Sequence, residues 1–170
     1  MSFIHLDRIL RDRRQLDVNN RMYTLVSRKD MLLRQQSWKM LFEFVEKETA
    51  EILRLDPSIA GKLQQLSKSC TDTADENYER FVFHSEHLEG LEQYGKALDT
   101  IAYGRERFKG TEYMARFDKV LAGLRDRAKK RIEEEKQLLV QRRSKLLKSG
   151  PRAAEEKPLS LAAQLAGLLE

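Results

Sequence analysis

Residues 90–97 read GLEQYGKA, and Gly90, Gly95 and Lys96 fit the spacing G-x-x-x-x-G-K, in which backbone amides wrap phosphates and the lysine neutralises their charge. That chemistry also needs a buried strand before the loop and a Ser or Thr after the lysine to hold magnesium. Here Ala97 follows Lys96, and the preceding NYERFVFHSEHLE repeats its apolar residues at helical period. The two glycines therefore read as small residues in a helix seam, where a neighbour can approach closely. His84 and His87, at i and i+3, could share a metal ion on one helical face. A dimetal helical bundle, however, draws Glu-x-x-His pairs from two helices, and this chain has no such motif and only one further histidine, His5. The reading is His84 on the seam and His87 near solvent, with no metal and no cofactor. Cys70, the single cysteine, lies on a helical stripe between Leu66 and Thr73 and reads as a small core residue rather than a nucleophile. With no Gly-x-Ser-x-Gly elbow and no Cys-x-x-Cys, the sequence points away from an enzyme.

The strongest charge signal is RDRAKKRIEEEKQLLVQRRSKLLK, from Arg125 to Lys148. The whole chain of 170 residues carries a formal charge of +5, and between Thr111 and Gly150 twelve Lys or Arg stand against six Asp or Glu. A polyanion partner, whether phospholipid headgroups or nucleic acid, would therefore meet Arg125, Arg127, Lys129, Lys130, Arg131, Arg142, Arg143 and Lys145. Two further readings compete with it. One is a solvated coiled-coil face laced with Glu–Lys pairs, and the other a two-cluster nuclear-import signal. Sequence-specific nucleic-acid binding is not expected, because no aromatic residue lies within the run to stack on bases.

The elements that carry these residues are helical. Charged residues make up 35% of the chain, with only 8 glycines and 3 prolines to interrupt long helices. Apolar residues recur at helical spacing from residue 3 to 55, with Met22, Val26, Leu33, Met40 and Phe44 on one stripe, widened by Leu25, Leu32, Leu41 and Val45. Asp56 before Pro57 is a stop followed by an N-cap and a proline at the first helical position. A second helix then spans 57–103, its seam running Ile59, Leu63, Leu66, Cys70, Thr73, Asn77, Phe81, His84, Leu88, Leu91, Gly95, Leu98 and Ala102. Its polar middle, SKSCTDTADENYE, either continues the helix or breaks it near Thr73. Gly104 and Gly110 bracket a turn, and a third helix spans 111–148 with Tyr113, Phe117, Leu121, Leu124, Ala128, Ile132, Leu138 or Leu139, and Leu146 on its stripe. Residues 151–158 read as a linker, and 159–170 as a short apolar helix whose Leu161, Leu165, Leu168 and Leu169 share one face. Those four leucines suit a partner's groove, or a cap on the chain's own bundle.

The fold expected is all-α: residues 1–150 as an elongated antiparallel bundle of three long coiled-coil-like helices, followed by the short C-terminal helix. One cysteine excludes an internal disulfide and fits a reducing compartment. No apolar run approaches a membrane span and the first residues resemble no leader, so the cytoplasm is expected, with the nucleus as alternative. The function expected is a scaffold or adaptor working by helix–helix association, as a homo-oligomer or a subunit of a complex. The alternatives are a membrane-surface dimer presenting its basic face to anionic lipid, a layout shared by membrane-shaping domains of the BAR type, and a small helical chaperone.

Overall fold

A computed structural model describes residues 3–149, with side chains from 7 to 147. The described residues are all-helical and contain no strand. The elements are α1 (Phe3–Arg34), α2 (Trp38–Leu55), a 3-10 turn (Pro57–Ile59), α3 (Ala60–Gly90), α4 (Tyr94–Arg107) and α5 (Tyr113–Ser149). The linker and C-terminal helix expected over 151–170 lie outside the described residues.

Two of the three expected long helices are divided. Helix 3–55 breaks at Gln35–Ser37 and helix 57–103 at Leu91–Gln93, because Gln36 (φ 51°) and Glu92 (φ 59°) adopt the left-handed conformation. Each break closes in the same way. The Ser37 amide donates to Leu32 O at 3.1 Å and Gln36 to Leu33 O at 3.0 Å; Gln93 donates to Leu88 O at 2.9 Å and Glu92 to Glu89 O at 2.8 Å. This double bond pattern, five residues back and then three, satisfies carbonyls that a helix end otherwise leaves bare. The chain then re-enters a helix at Trp38 and at Tyr94, both buried.

Each break also resets the phase of the apolar stripe. Val18, Leu25 and Leu32 are buried at seven-residue steps in α1, and the series resumes one residue early as Trp38, Val45 and Ile52. The stripe expected on Val26 and Met40 is therefore displaced: Leu25, Leu32, Leu41 and Val45 form the core, and Val26 and Met40 are exposed. The same reset in α4 buries Tyr94, Ala97, Ile101, Gly104 and Phe108 in place of the expected Gly95, Leu98 and Ala102. Seven-residue spacing is the signature of helices packed along a seam.

The polar middle of α3 does not break it. Thr73 Oγ1 donates to Ser69 O at 2.8 Å, Ser69 Oγ to Leu66 O at 2.8 Å and Asn77 Nδ2 to Thr73 O at 2.8 Å. Side chains that bond back to helix carbonyls carry their polarity without leaving the helix. The Asp56 stop forms as expected: its carboxylate accepts from Ser58 N at 2.9 Å and Ser58 Oγ at 2.6 Å. These two bonds hold its pKa below the usual carboxylate value.

The chain divides into two units. One comprises Met1–Glu79 with Glu106–Met114. Within it α1 and α2 form an antiparallel hairpin, tied by Arg21 to Glu48 at 3.1 Å and by the Arg28 guanidinium 4.8 Å above the Phe44 ring. Trp38 stacks on Phe108 at 4.9 Å, Phe108 meets Tyr113 at 4.8 Å, and Tyr113 reaches Phe42 and Tyr78 at 6.4 and 5.9 Å. Aromatic pairs in this range add about 0.5–1.5 kcal/mol each beyond the area they bury. The other unit comprises Arg80–Arg105 with the chain from Ala115. Its three helical segments alternate in direction, with Phe81 against Tyr103 at 6.0 Å and Phe117 at 6.1 Å.

Gly104 belongs to this second core and not to the turn that the sequence suggests. A β-carbon built there would lie 2.8 Å from Phe117 Cε1 and 2.9 Å from Phe81 Cγ, both on packed rings. Gly104→Ala is therefore expected to cost about 1–3 kcal/mol in urea unfolding, the range for overpacking a core. Gln36→Gly should act in the opposite sense, raising stability by about 1 kcal/mol, since glycine holds the left-handed conformation without the clash a β-carbon suffers.

Candidate functional site

The stretch 90–97 forms the corner between α3 and α4. Gly90 ends α3, Glu92 makes the left-handed turn, and Lys96 is an exposed residue of α4. No strand precedes it among the described residues, and the amides of Leu91, Glu92 and Gln93 donate to the α3 carbonyls of His87, Glu89 and Leu88. The histidines differ from expectation by one position. Ser85 is buried on the seam, its hydroxyl donating to Val82 O at 3.0 Å, while His84 and His87 are both exposed. The polar Ser85 takes the inward place because it can satisfy itself on its own helix, which an imidazole cannot do there. No group of three His, Cys, Asp or Glu among the described residues could hold a metal ion.

Cys70 is buried in the first unit, as its place on the stripe suggests. Burial pushes its thiol pKa up, and the opposing pull of the Lys29 charge is smaller. A nucleophile needs the shift in the other direction. Beside it, an apolar groove of about 440 Å³ opens between α2 and α3, lined by Phe42, Val45, Leu53 and Cys70. The buried Thr49 hydroxyl at this groove makes no hydrogen bond among the described residues.

The basic run of α5 sorts into two classes. Arg127 forks onto Glu89, with Nε to Oε1 at 2.5 Å and Nη2 to Oε2 at 2.9 Å, and Arg131 binds Glu92 on the turn. Both guanidinium pKa values rise, chiefly through these hydrogen bonds. The two arginines, one helical turn apart, thus tie α5 to the α3–α4 corner. Arg125, Lys129, Lys130, Arg142 and Arg143 are exposed and form no ion pair among the described residues, and Lys145 is likewise exposed. Of the eight basic residues the sequence groups together, the structure therefore assigns two to holding the fold and leaves the others at the surface.

The apolar stripe of α5 is the feature the sequence does not resolve. Tyr113, Phe117, Leu121, Leu124, Ala128 and Ile132 are buried in steps of three and four. The same face continues through Glu135, half-buried, to Leu138, Leu139, Arg142 and Leu146, and there it is open: Leu138 is 49% exposed and Leu139 39%. Val140 and Leu147 are 67% and 77% exposed. At the other end of the chain Ile9, Leu10 and Leu16 stand exposed on α1 ahead of the first buried residue described, Val18. The four leucines expected to dock a partner, Leu161, Leu165, Leu168 and Leu169, lie outside the described residues. No helix among the described residues is long and apolar enough to cross a membrane. Compared with protein families, characterised proteins and solved structures, the chain matches none.

The division of the basic run can be checked by unfolding. Arg127→Ala is expected to cost about 0.5–1 kcal/mol, the upper range for partly exposed ion pairs, and Arg131→Ala to lower the urea midpoint in the same direction. Lys129→Ala and Lys130→Ala should leave the urea midpoint unchanged.

Proposed function

We propose that the chain is a non-enzymatic scaffold or adaptor that works by helix–helix association, with itself or with the helices of another subunit. One observation carries this reading: the stripe that builds the core of the second unit runs on along α5 for four more turns with its leucines exposed. Large apolar side chains in a continuous row on a monomer mark an association surface. Burying each is worth about 1.5–3 kcal/mol, enough for a few leucines to support a stable contact. The exposed Ile9, Leu10 and Leu16 of α1 support the same reading from a second element.

The alternative, adsorption to an anionic membrane, draws on Arg125, Lys129 and Lys130, and on Arg142, Arg143 and Lys145. It makes a different demand, since attraction to a charged surface falls as salt rises. Vesicles containing one-third phosphatidylserine, sedimented at low and physiological salt, separate the two. The scaffold reading predicts that the chain stays in the supernatant at both salt concentrations. Salt-sensitive co-sedimentation, abolished by Lys129→Glu with Lys130→Glu, would overturn it.

A further inference from the structure

The open part of the α5 stripe has an order of residues that fits its own reverse. Along one face lie Glu135, Leu138, Leu139 and Arg142, spaced E-x-x-L-L-x-x-R, symmetric about the midpoint between the two leucines. On an α-helix these four fall within a 100° arc, and they continue the buried row that ends at Ile132. Glu135 is half-buried and Arg142 exposed, and neither forms an ion pair among the described residues.

We infer that this face is the interface of a two-fold homodimer, in which α5 of one chain lies antiparallel to α5 of a second copy. The two-fold axis passes between Leu138 and Leu139. Each of these leucines then meets the other leucine of the second copy, and Glu135 of each chain meets Arg142 of the other. A two-fold contact requires a surface complementary to itself, and the order acid, leucine, leucine, base meets that requirement when one copy is reversed. Parallel pairing would set Glu135 on Glu135 and Arg142 on Arg142, so the same charges that join the antiparallel pair forbid the parallel one. The Arg127 and Arg131 pairs with Glu89 and Glu92 hold the preceding turns of α5 against the corner of its own chain, which leaves the segment from Glu135 to present to a partner.

The occupant is a second copy on grounds of charge order. A basic membrane surface helix has no use for Glu135 on its apolar face, and an unrelated coiled-coil partner does not require the symmetric spacing. The inference rests on the scaffold reading and narrows it.

The test is a charge swap followed by light scattering and sedimentation equilibrium on the full chain. The wild-type chain is expected to dimerise in the micromolar range. Glu135→Arg alone and Arg142→Glu alone should each weaken the dimer at least tenfold, because each places like charges across both halves of the contact. The double variant Glu135→Arg with Arg142→Glu should restore the affinity to within a few-fold of wild type. Circular dichroism spectra should show the same helix content for all four chains, since both residues lie beyond the buried core. Three results would overturn the inference: single variants that dimerise as wild type does, a double variant that fails to recover, or a wild-type chain that stays monomeric, as it would if another protein or residues 159–170 occupied the face. An assembly that is indifferent to the swap and ignores vesicles removes this interface and leaves the scaffold reading standing. Salt-sensitive vesicle binding removes the scaffold reading itself.

Discussion

Two residues other than glycine with positive φ, Gln36 and Glu92, set one helix corner in each of the two units. Neither is glycine, so each holds a conformation that costs an ordinary L-residue about 1–2 kcal/mol. The return is a helix end whose carbonyls are bonded and a following helix that starts at once. That restart shifts the seven-residue pattern and swings Trp38 and Tyr94 inward. The two corners lie fifty-six residues apart and use the same pair of backbone bonds. Around them the buried positions also correspond: Trp38, Leu41, Val45 and Ile52 after the first corner, and Tyr94, Ala97, Ile101 and Phe108 after the second. The chain thus uses one helix–corner–helix device twice, with side chains of quite different size in equivalent places.

Given the corners, the cores follow. In the first unit the ring series Trp38, Phe108, Tyr113, with Phe42 and Tyr78 against Tyr113, gathers residues from α2, α3, the turn before α5 and the first residue of α5. In the second, Gly104 lets Phe81 and Phe117 close over α4. Arg127 and Arg131 then fasten α5 to the second corner itself, so that Glu92 serves both as the residue that turns the chain and as the anchor of the helix that passes it. Beyond that anchor α5 keeps the period of a packed helix with its leucines exposed. A pattern suited to burial thus lies on a surface left open.

The sequence shows the helical class plainly, because charge-rich composition and scarce breakers leave little else, and it places the Asp56–Pro57 stop and the start of α5 within two residues. The corners are hidden for a physical reason. A left-handed cap is read from glycine or asparagine, and here glutamine and glutamate take the position, held by the backbone bonds around them. Once the corners are missed, the phase of the apolar stripe is wrong on one side of each, which is why Met40 and Gly95 are assigned inward and Trp38 and Tyr94 are overlooked. His84 fails similarly, since a serine that bonds its own helix looks no better in a seam than its neighbour. The Arg127 and Arg131 pairs join residues nearly forty positions apart, and nothing in a local charge run distinguishes an arginine that will meet a distant glutamate from one that stays solvated. The continuation of the α5 stripe is legible as a pattern; that it outruns its cover is a tertiary fact.

In the proposed assembly the stripe of α5 beyond Ile132 is completed by another chain. Amide hydrogen exchange along α5, followed at low and high micromolar protein, tests it most directly, because helical amides on an uncovered stretch open locally while those over a packed face do not. Strong protection is expected from Leu121 to Ile132 at both concentrations, with protection from Glu135 to Arg142 that rises with concentration. Exchange over Glu135 to Arg142 that is fast and unchanged across that range, with the rest of α5 protected, would contradict it.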